Sequence, residues 1–131
     1  YSSAIKINPI NDEGYYWRGN SRYSLGQYSE AIADYSQAIA INPNGEQAYY
    51  YRGQSYYHLE NFETALADYS QSIELNPDVS ISYYWRGQTC YKLTRYEEGL
   101  QDFNKSIQLN KNDGYGYLGR ANCYYMLAKY N

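Results

Sequence analysis

From Tyr15 to Ile41 the apolar and small positions fall into two helical runs. The first takes Tyr15, Gly19, Arg22 and Leu25. The second takes Tyr28, Ala31, Ile32, Tyr35, Ala38, Ile39 and Ile41. Both follow the three-to-four-residue spacing that lines up one helix face. Asn42-Pro43 ends the second run, because proline disfavours helical geometry in the residue before it. Asn44, Asp78 and Asn112 follow the closing turns and are the expected N-caps of the next helices. The turn inside each pair is less clearly punctuated: Gly26 marks it once, and Glu60, Thr94 and Ala128 stand in its place elsewhere. The pattern predicts helices over about 1–8, 12–25, 29–41, 46–59, 63–75, 80–93, 97–109 and 114–127.

These runs recur with a period of 34 residues. Asn8-Pro9, Asn42-Pro43 and Asn76-Pro77 keep that spacing, and so do Arg18-Gly19, Arg52-Gly53 and Arg86-Gly87, with Arg120-Ala121 continuing the series. Leu25, Leu59, Leu93 and Leu127, then Tyr23, Tyr57, Tyr91 and Tyr125, add further columns. The expected organisation is one array: a partial repeat at 1–11, repeats at 12–45, 46–79 and 80–113, and a partial repeat at 114–131. The small columns, Gly19, Gly53 and Gly87 with Ala31 and Ala65, read as points of close helix approach. Tyr28, Phe62, Tyr96, Tyr35, Tyr69 and Phe103 fill the space around them.

The motif spacing resembles the tetratricopeptide repeat (TPR) family, whose pattern runs Trp-x2-Leu-Gly-x2-Tyr, Ala-x3-Phe and Pro. The first repeat matches through Tyr15, Gly19, Ala31, Tyr35 and Pro43, and the second through Tyr49, Gly53, Tyr56, Ala65, Tyr69 and Pro77. The third matches through Tyr83, Gly87 and Phe103, and departs at Gly99 and Lys111. A column of Arg replaces the Leu of the pattern throughout. The resemblance implies an all-α, right-handed superhelical solenoid of antiparallel helix pairs. It also implies that the first helices line a concave groove.

Along that face a second stripe appears. Tyr16, Asn20 and Tyr23 lie on one side of the first helix, followed by Tyr50, Gln54 and Tyr57, by Tyr84, Gln88 and Tyr91, and by Leu118, Asn122 and Tyr125. Large aromatics interleaved with amides are not a core pattern, since each buried amide needs partners. Tyrosine combines a large rigid contact area with a polar tip, which suits recognition. His58 and Lys92 adjoin the stripe and complete the candidate ligand groove, with Ser24 and Met126 beside them. The same rows could instead stack on one another and stabilise the array. Trp17, Tyr51 and Trp85 form a further column suited to packing or contact. Some TPR modules grip acidic C-terminal tails through a Lys/Asn/Arg clamp. Tyr16, Tyr50 and Tyr84 stand where its first Lys would be, and only Asn20 and Asn122 match its amide, so no such clamp is expected.

Composition narrows the chemistry. Twenty-one of the 131 residues are Tyr, and 14 acidic against 11 basic side chains leave a net charge of −3. That balance argues against nucleic-acid binding, which needs a basic footprint. No apolar run approaches a membrane span, and no secretory signal is recognisable, so a cytoplasmic location is favoured. The one histidine excludes a multi-histidine metal site within these residues, and Cys90 and Cys123 read as core. Gly114-Tyr115-Gly116-Tyr117-Leu118-Gly119 fits G-x-G-x-x-G literally but follows a helix rather than a strand, so no cofactor is expected. No nucleophile–base arrangement stands out, so no catalytic residue is assigned.

Two structural expectations follow. Arg18, Arg52 and Arg86 each have an Asp 16 residues on, at Asp34, Asp68 and Asp102, and each pair should tie the two helices of its repeat together. Arg120 lacks such a partner and should be exposed or use another acid. The start at Tyr1 marks a piece of a longer protein, and residues 1–8 of one molecule should stack weakly over residues 114–127 of the next. The expected function is a non-catalytic scaffold that binds a peptide or helix of a protein partner. The alternatives are an assembly module that uses its end faces, or an accessory domain of a larger enzyme.

Overall fold

The computed structural model describes residues 11–130, so the expected helix at 1–8 and most of the partial repeat at 1–11 lie outside the described residues. Seven helices follow: α1 (Asp12–Ser24), α2 (Tyr28–Ile41), α3 (Glu46–His58), α4 (Phe62–Leu75), α5 (Ser80–Lys92), α6 (Tyr96–Leu109) and α7 (Gly114–Tyr130). No strand occurs among the described residues. The chain forms two compact units, Tyr1–Leu75 with α1 to α4 and Asn76–Asn131 with α5 to α7. In the first unit α1 packs on α2, α2 on α3 and α3 on α4. In the second α5 packs on α6 and α6 on α7.

The small columns set these packings. An added Cβ at Gly19 would lie 2.8 Å from the Tyr35 ring, at Gly53 3.0 Å from Tyr69, and at Gly87 3.0 Å from Phe103. Tyr35, Tyr69 and Phe103 are fully buried, as are Ala31 and Ala65. Where the third repeat has Gly99 instead of alanine, the vacant methyl site faces the Gly87 carbonyl at 3.1 Å and Cys123 Sγ at 3.3 Å. The bulk moves from one helix to its neighbour.

Helix ends explain the weakly marked turns. Gly26, Glu60 and Thr94 all take positive φ, at 77°, 62° and 62°. Around them the Gln27, Asn61 and Arg95 amides donate back to the Arg22, Tyr56 and Cys90 carbonyls, and the Gly26, Glu60 and Thr94 amides to Tyr23, Tyr57 and Tyr91. This pair of bonds is the Schellman closure that glycine favours, here imposed on two residues with side chains. Ala128 makes no such turn, and α7 continues to Tyr130.

The expected caps shift by one residue. Asn42, Asn76 and Asn110 turn their own side chains onto the amides of Asn44, Asp78 and Asn112, so those three close the preceding turn instead of capping. The capping carboxamide and carboxylate belong to Asn11, which accepts from the Glu13 amide, and to Asp113, which accepts from the Tyr115 amide. Gly45 and Val79 precede α3 and α5 without a side-chain cap.

The arginine column behaves as expected. Arg18 reaches Asp34 at 2.7 Å, Arg52 reaches Asp68 at 2.8 Å and Arg86 reaches Asp102 at 2.8 Å. The carboxylates are buried while the guanidinium groups keep partial access to water. Each guanidinium also lies over the tyrosine three residues earlier, between 5.6 and 6.0 Å from the ring centroid. Hydrogen bonding to Asp34 and Asp68 raises the pKa of Arg18 and Arg52. Burial pushes the Asp102 carboxyl up against the opposing pull of Arg86. Arg52 donates a further bond to Ser36, 16 residues back. Arg120 keeps that backward bond, to the Asn104 carboxamide at 3.2 Å. It is half-buried, and its partner is a neutral amide, not an acid.

Candidate functional site

In α1, α3 and α5 each tyrosine of the stripe rests on a ring from the second helix of its own pair. Tyr16 meets Tyr35 at 6.1 Å between centroids, Tyr50 meets Tyr69 at 6.0 Å and Tyr84 meets Phe103 at 5.7 Å. Tyr23, Tyr57 and Tyr91 stand edge-on to Tyr28, Phe62 and Tyr96 at 5.5, 5.3 and 5.4 Å. All six are half-buried. Burial raises the pKa of Tyr16, Tyr23, Tyr50 and Tyr57, so these are neutral phenols able to donate and accept. In the adjoining column Tyr51 stacks on Tyr35 at 6.3 Å and 22°, a packing role, whereas Trp17 is 47% exposed.

The amide row is not uniform. Asn20 accepts a 2.6 Å bond from the Tyr35 hydroxyl. Gln54, which is buried, accepts from the Tyr69 hydroxyl. In the third repeat the corresponding ring is Phe103, which has no hydroxyl, and the Gln88 side chain makes no hydrogen bond among the described residues. Gln88 is only half-buried, and its side-chain amide can both donate and accept. Asn122 is exposed on α7.

The remaining residues flank this pattern. His58 stacks on Tyr28 at 4.7 Å, and its Nε2 shares a 3.2 Å hydrogen bond with the Tyr23 hydroxyl. Partial burial lowers its pKa, so the neutral ring is favoured. Lys92 is exposed at the end of α5. Leu118 and Tyr125 on α7 stand out to solvent, and Met126 is half-buried.

Within each unit a notch lies between successive first helices. Between α1 and α3, a notch of about 150 Å³ includes Asp12, Glu13, Tyr16, Gly45, Glu46 and Gln47, and the Tyr16 hydroxyl donates to Gln47 across it. Between α5 and α7, a notch of about 290 Å³ is lined by Ile81, Tyr84, Trp85, Asp113 and Tyr115. Tyr115 occupies the repeat position of Gln47. Sequence reasoning passed over Ile81, Asp113 and Tyr115, because they belong to no recurring column. The available signal was the change from Glu13 and Gln47 to Ile81 and Tyr115 at one repeat position.

Two glycines of the 114–119 run, Gly116 and Gly119, have a packing cause, whereas Gly114 faces open space. A Cβ on Gly119 would lie 2.5 Å from Phe103, and one on Gly116 would lie 3.1 Å from Ile107. Cys90 and Cys123 are buried free thiols, pushed up to about 12 and about 11 by burial, and so protonated and unreactive.

Comparison with known proteins agrees with this architecture. A TPR repeat family model matches residues 19–60, and tetratricopeptide repeat models match 46–79 and 80–113. A search of curated proteins finds no match. Among solved structures, the first TPR of Spaghetti (RPAP3) bound to an HSP90 peptide superposes with a TM-score of 0.87. Its identity is 24%, covering 89% of this chain and 93% of that one. MamA superposes at 0.95 with 19% identity, covering 98% and 75%. The Sgt2 TPR domain from Aspergillus fumigatus superposes at 0.83 with 20% identity, covering 90% and 80%. The all-α helix pairs, their 34-residue period and the matching family models place this chain in the tetratricopeptide repeat family.

Proposed function

We propose that the chain is a non-catalytic protein–protein interaction module. A peptide or helix of its partner lies on the tyrosine- and amide-bearing face of the first helices. Gln88 carries this reading. It is the amide of the row whose place in the packing has been vacated by a missing hydroxyl, and half-buried between Tyr84 and Tyr91 it can pair with a peptide backbone. The RPAP3 neighbour was solved with an HSP90 peptide, which supports peptide binding on this fold. An acidic-tail clamp is not the favoured chemistry, because Tyr16, Tyr50 and Tyr84 supply no cation and Asn20 is already engaged by Tyr35. The test is capture of partners from a lysate by the wild-type chain, Gln88→Ala and Tyr91→Ala, with circular dichroism as the folding control. Loss of the same captured partner in both variants, with helicity kept, is the expected result. Capture unchanged in both refutes the assignment of the face.

A second reading, head-to-tail association, is favoured by α7, where Tyr117, Tyr124 and Tyr130 are 42%, 55% and 66% exposed. The stretch expected to cover them, residues 1–8, lies outside the described residues. Sedimentation over a wide concentration range tests it: the sedimentation coefficient should rise with concentration and cease to do so in Tyr124→Ser.

A further inference from the structure

The α5/α7 notch is lined by Tyr84, Trp85, Tyr115 and Ile81 together with the Asp113 carboxylate. Tyr84 stands 5.2 Å from Trp85 at 82° and 6.3 Å from Tyr115 at 61°, so both rings meet Tyr84 at steep angles beside the notch. Ile81, 44% exposed, forms another side, and Tyr115, 71% exposed, forms a wall that reaches into solvent. At the rim, Asp113 uses Oδ1 to cap the Tyr115 amide. No lysine or arginine lines the space.

We propose that this notch is an aromatic cage for a quaternary ammonium group, the trimethylated lysine side chain of a partner peptide. The chemistry follows from the walls. Aromatic faces carry negative electrostatic potential and attract a cation whose charge is spread over methyl groups. An ordinary ammonium keeps its tightly held water and gains less from such walls, while a neutral alkyl group gains nothing from Asp113. The equivalent α1/α3 notch has the Glu13 carboxylate and the Gln47 amide in place of Ile81 and Tyr115, so it lacks those apolar walls. A peptide is chosen as the carrier because Tyr84 belongs to both the cage and the proposed peptide face. That choice rests on the interaction reading, whereas the cage itself does not.

The probe is choline, set against 3,3-dimethyl-1-butanol, which has the same shape without charge. In a Trp17→Phe background Trp85 is the single indole and reports occupancy by its fluorescence. Choline should bind about ten-fold more tightly than the neutral alcohol, the range cation–aromatic attraction supplies. Tyr115→Ala and Asp113→Asn should each weaken choline about five-fold or more. Helicity should hold, since Tyr115 is exposed and asparagine retains the capping oxygen. Peptides with trimethyl-lysine should then outcompete their unmodified forms, and phosphatidylcholine vesicles should not bind. Equal binding of choline and the alcohol overturns the cage and leaves a notch for apolar side chains. Choline binding with vesicles preferred over the methylated peptide overturns the carrier alone. Choline binding with partner capture unchanged by Gln88→Ala and Tyr91→Ala rejects the peptide-face reading and keeps the cage.

Discussion

The second and third repeats share a backbone register and differ by one oxygen atom at a decisive point. In the second, the Tyr69 hydroxyl fills Gln54, the amide is buried, and the position serves the core. In the third, Phe103 occupies the same place against Gly87, and Gln88 is left half-buried and unpaired among the described residues. The same column is thus structural in one repeat and available in the next. In a repeat protein, deleting an internal partner frees a polar group that the neighbouring repeat buries.

The largest perturbation sets the baseline common to both repeats. Arg52→Ala leaves the Asp68 carboxylate buried and unpaired, and should lower stability by about 3 kcal/mol in urea denaturation. A loss near that of a surface pair would mean that water reaches Asp68. Tyr69→Phe converts the second repeat toward the third. It strands Gln54 without its donor, and should cost about 1–3 kcal/mol by the same measurement. Phe103→Tyr is the reverse conversion. It should add about 1 kcal/mol, one net hydrogen bond to Gln88, and weaken partner capture in proportion. A stabilised variant with undiminished capture would separate Gln88 from recognition. The smallest effect is a pH dependence. The folded state lowers the His58 pKa below its unfolded value, so the unfolded chain takes up the proton first. Its contribution is therefore present above the ordinary histidine range and lost as pH falls through the folded value. Melting temperatures of wild type and His58→Gln should converge slightly from pH 7.5 to pH 5 if this holds.

The helix pairs and the Arg–Asp ties were legible in the sequence, because packing contacts that recur every repeat leave recurring residues. Arg18 with Asp34 shows this, a 16-residue offset repeated twice more. The hydroxyl–amide pairs were equally present, as a 15-residue offset from Asn20 to Tyr35 and from Gln54 to Tyr69. The sequence pattern does not mark them as pairs, because Tyr35 and Tyr69 read as core and Asn20 and Gln54 as groove. The turns at Glu60 and Thr94 were obscured for another reason: left-handed backbone is normally signalled by glycine, and here the hydrogen bonds of helix closure override the residue's own preference. The α5/α7 notch leaves no recurring residue, since Glu13, Gln47, Ile81 and Tyr115 share one repeat position without sharing a chemistry.

Gly99 has a kinetic consequence. By leaving room for Cys123 Sγ at 3.3 Å and Cys90 Cβ at 3.5 Å, it seats two thiols at the junction where α5, α6 and α7 meet. Neither thiol can ionise or meet a reagent while the junction is shut. Their modification by a thiol reagent is consequently gated by opening. Cys123, carried by α7, should be labelled whenever that helix peels away, and Cys90 only when α5 and α6 also part. The ratio of the two labelling rates then measures how often the last helix frays without its neighbours, a local clock already present in the natural sequence.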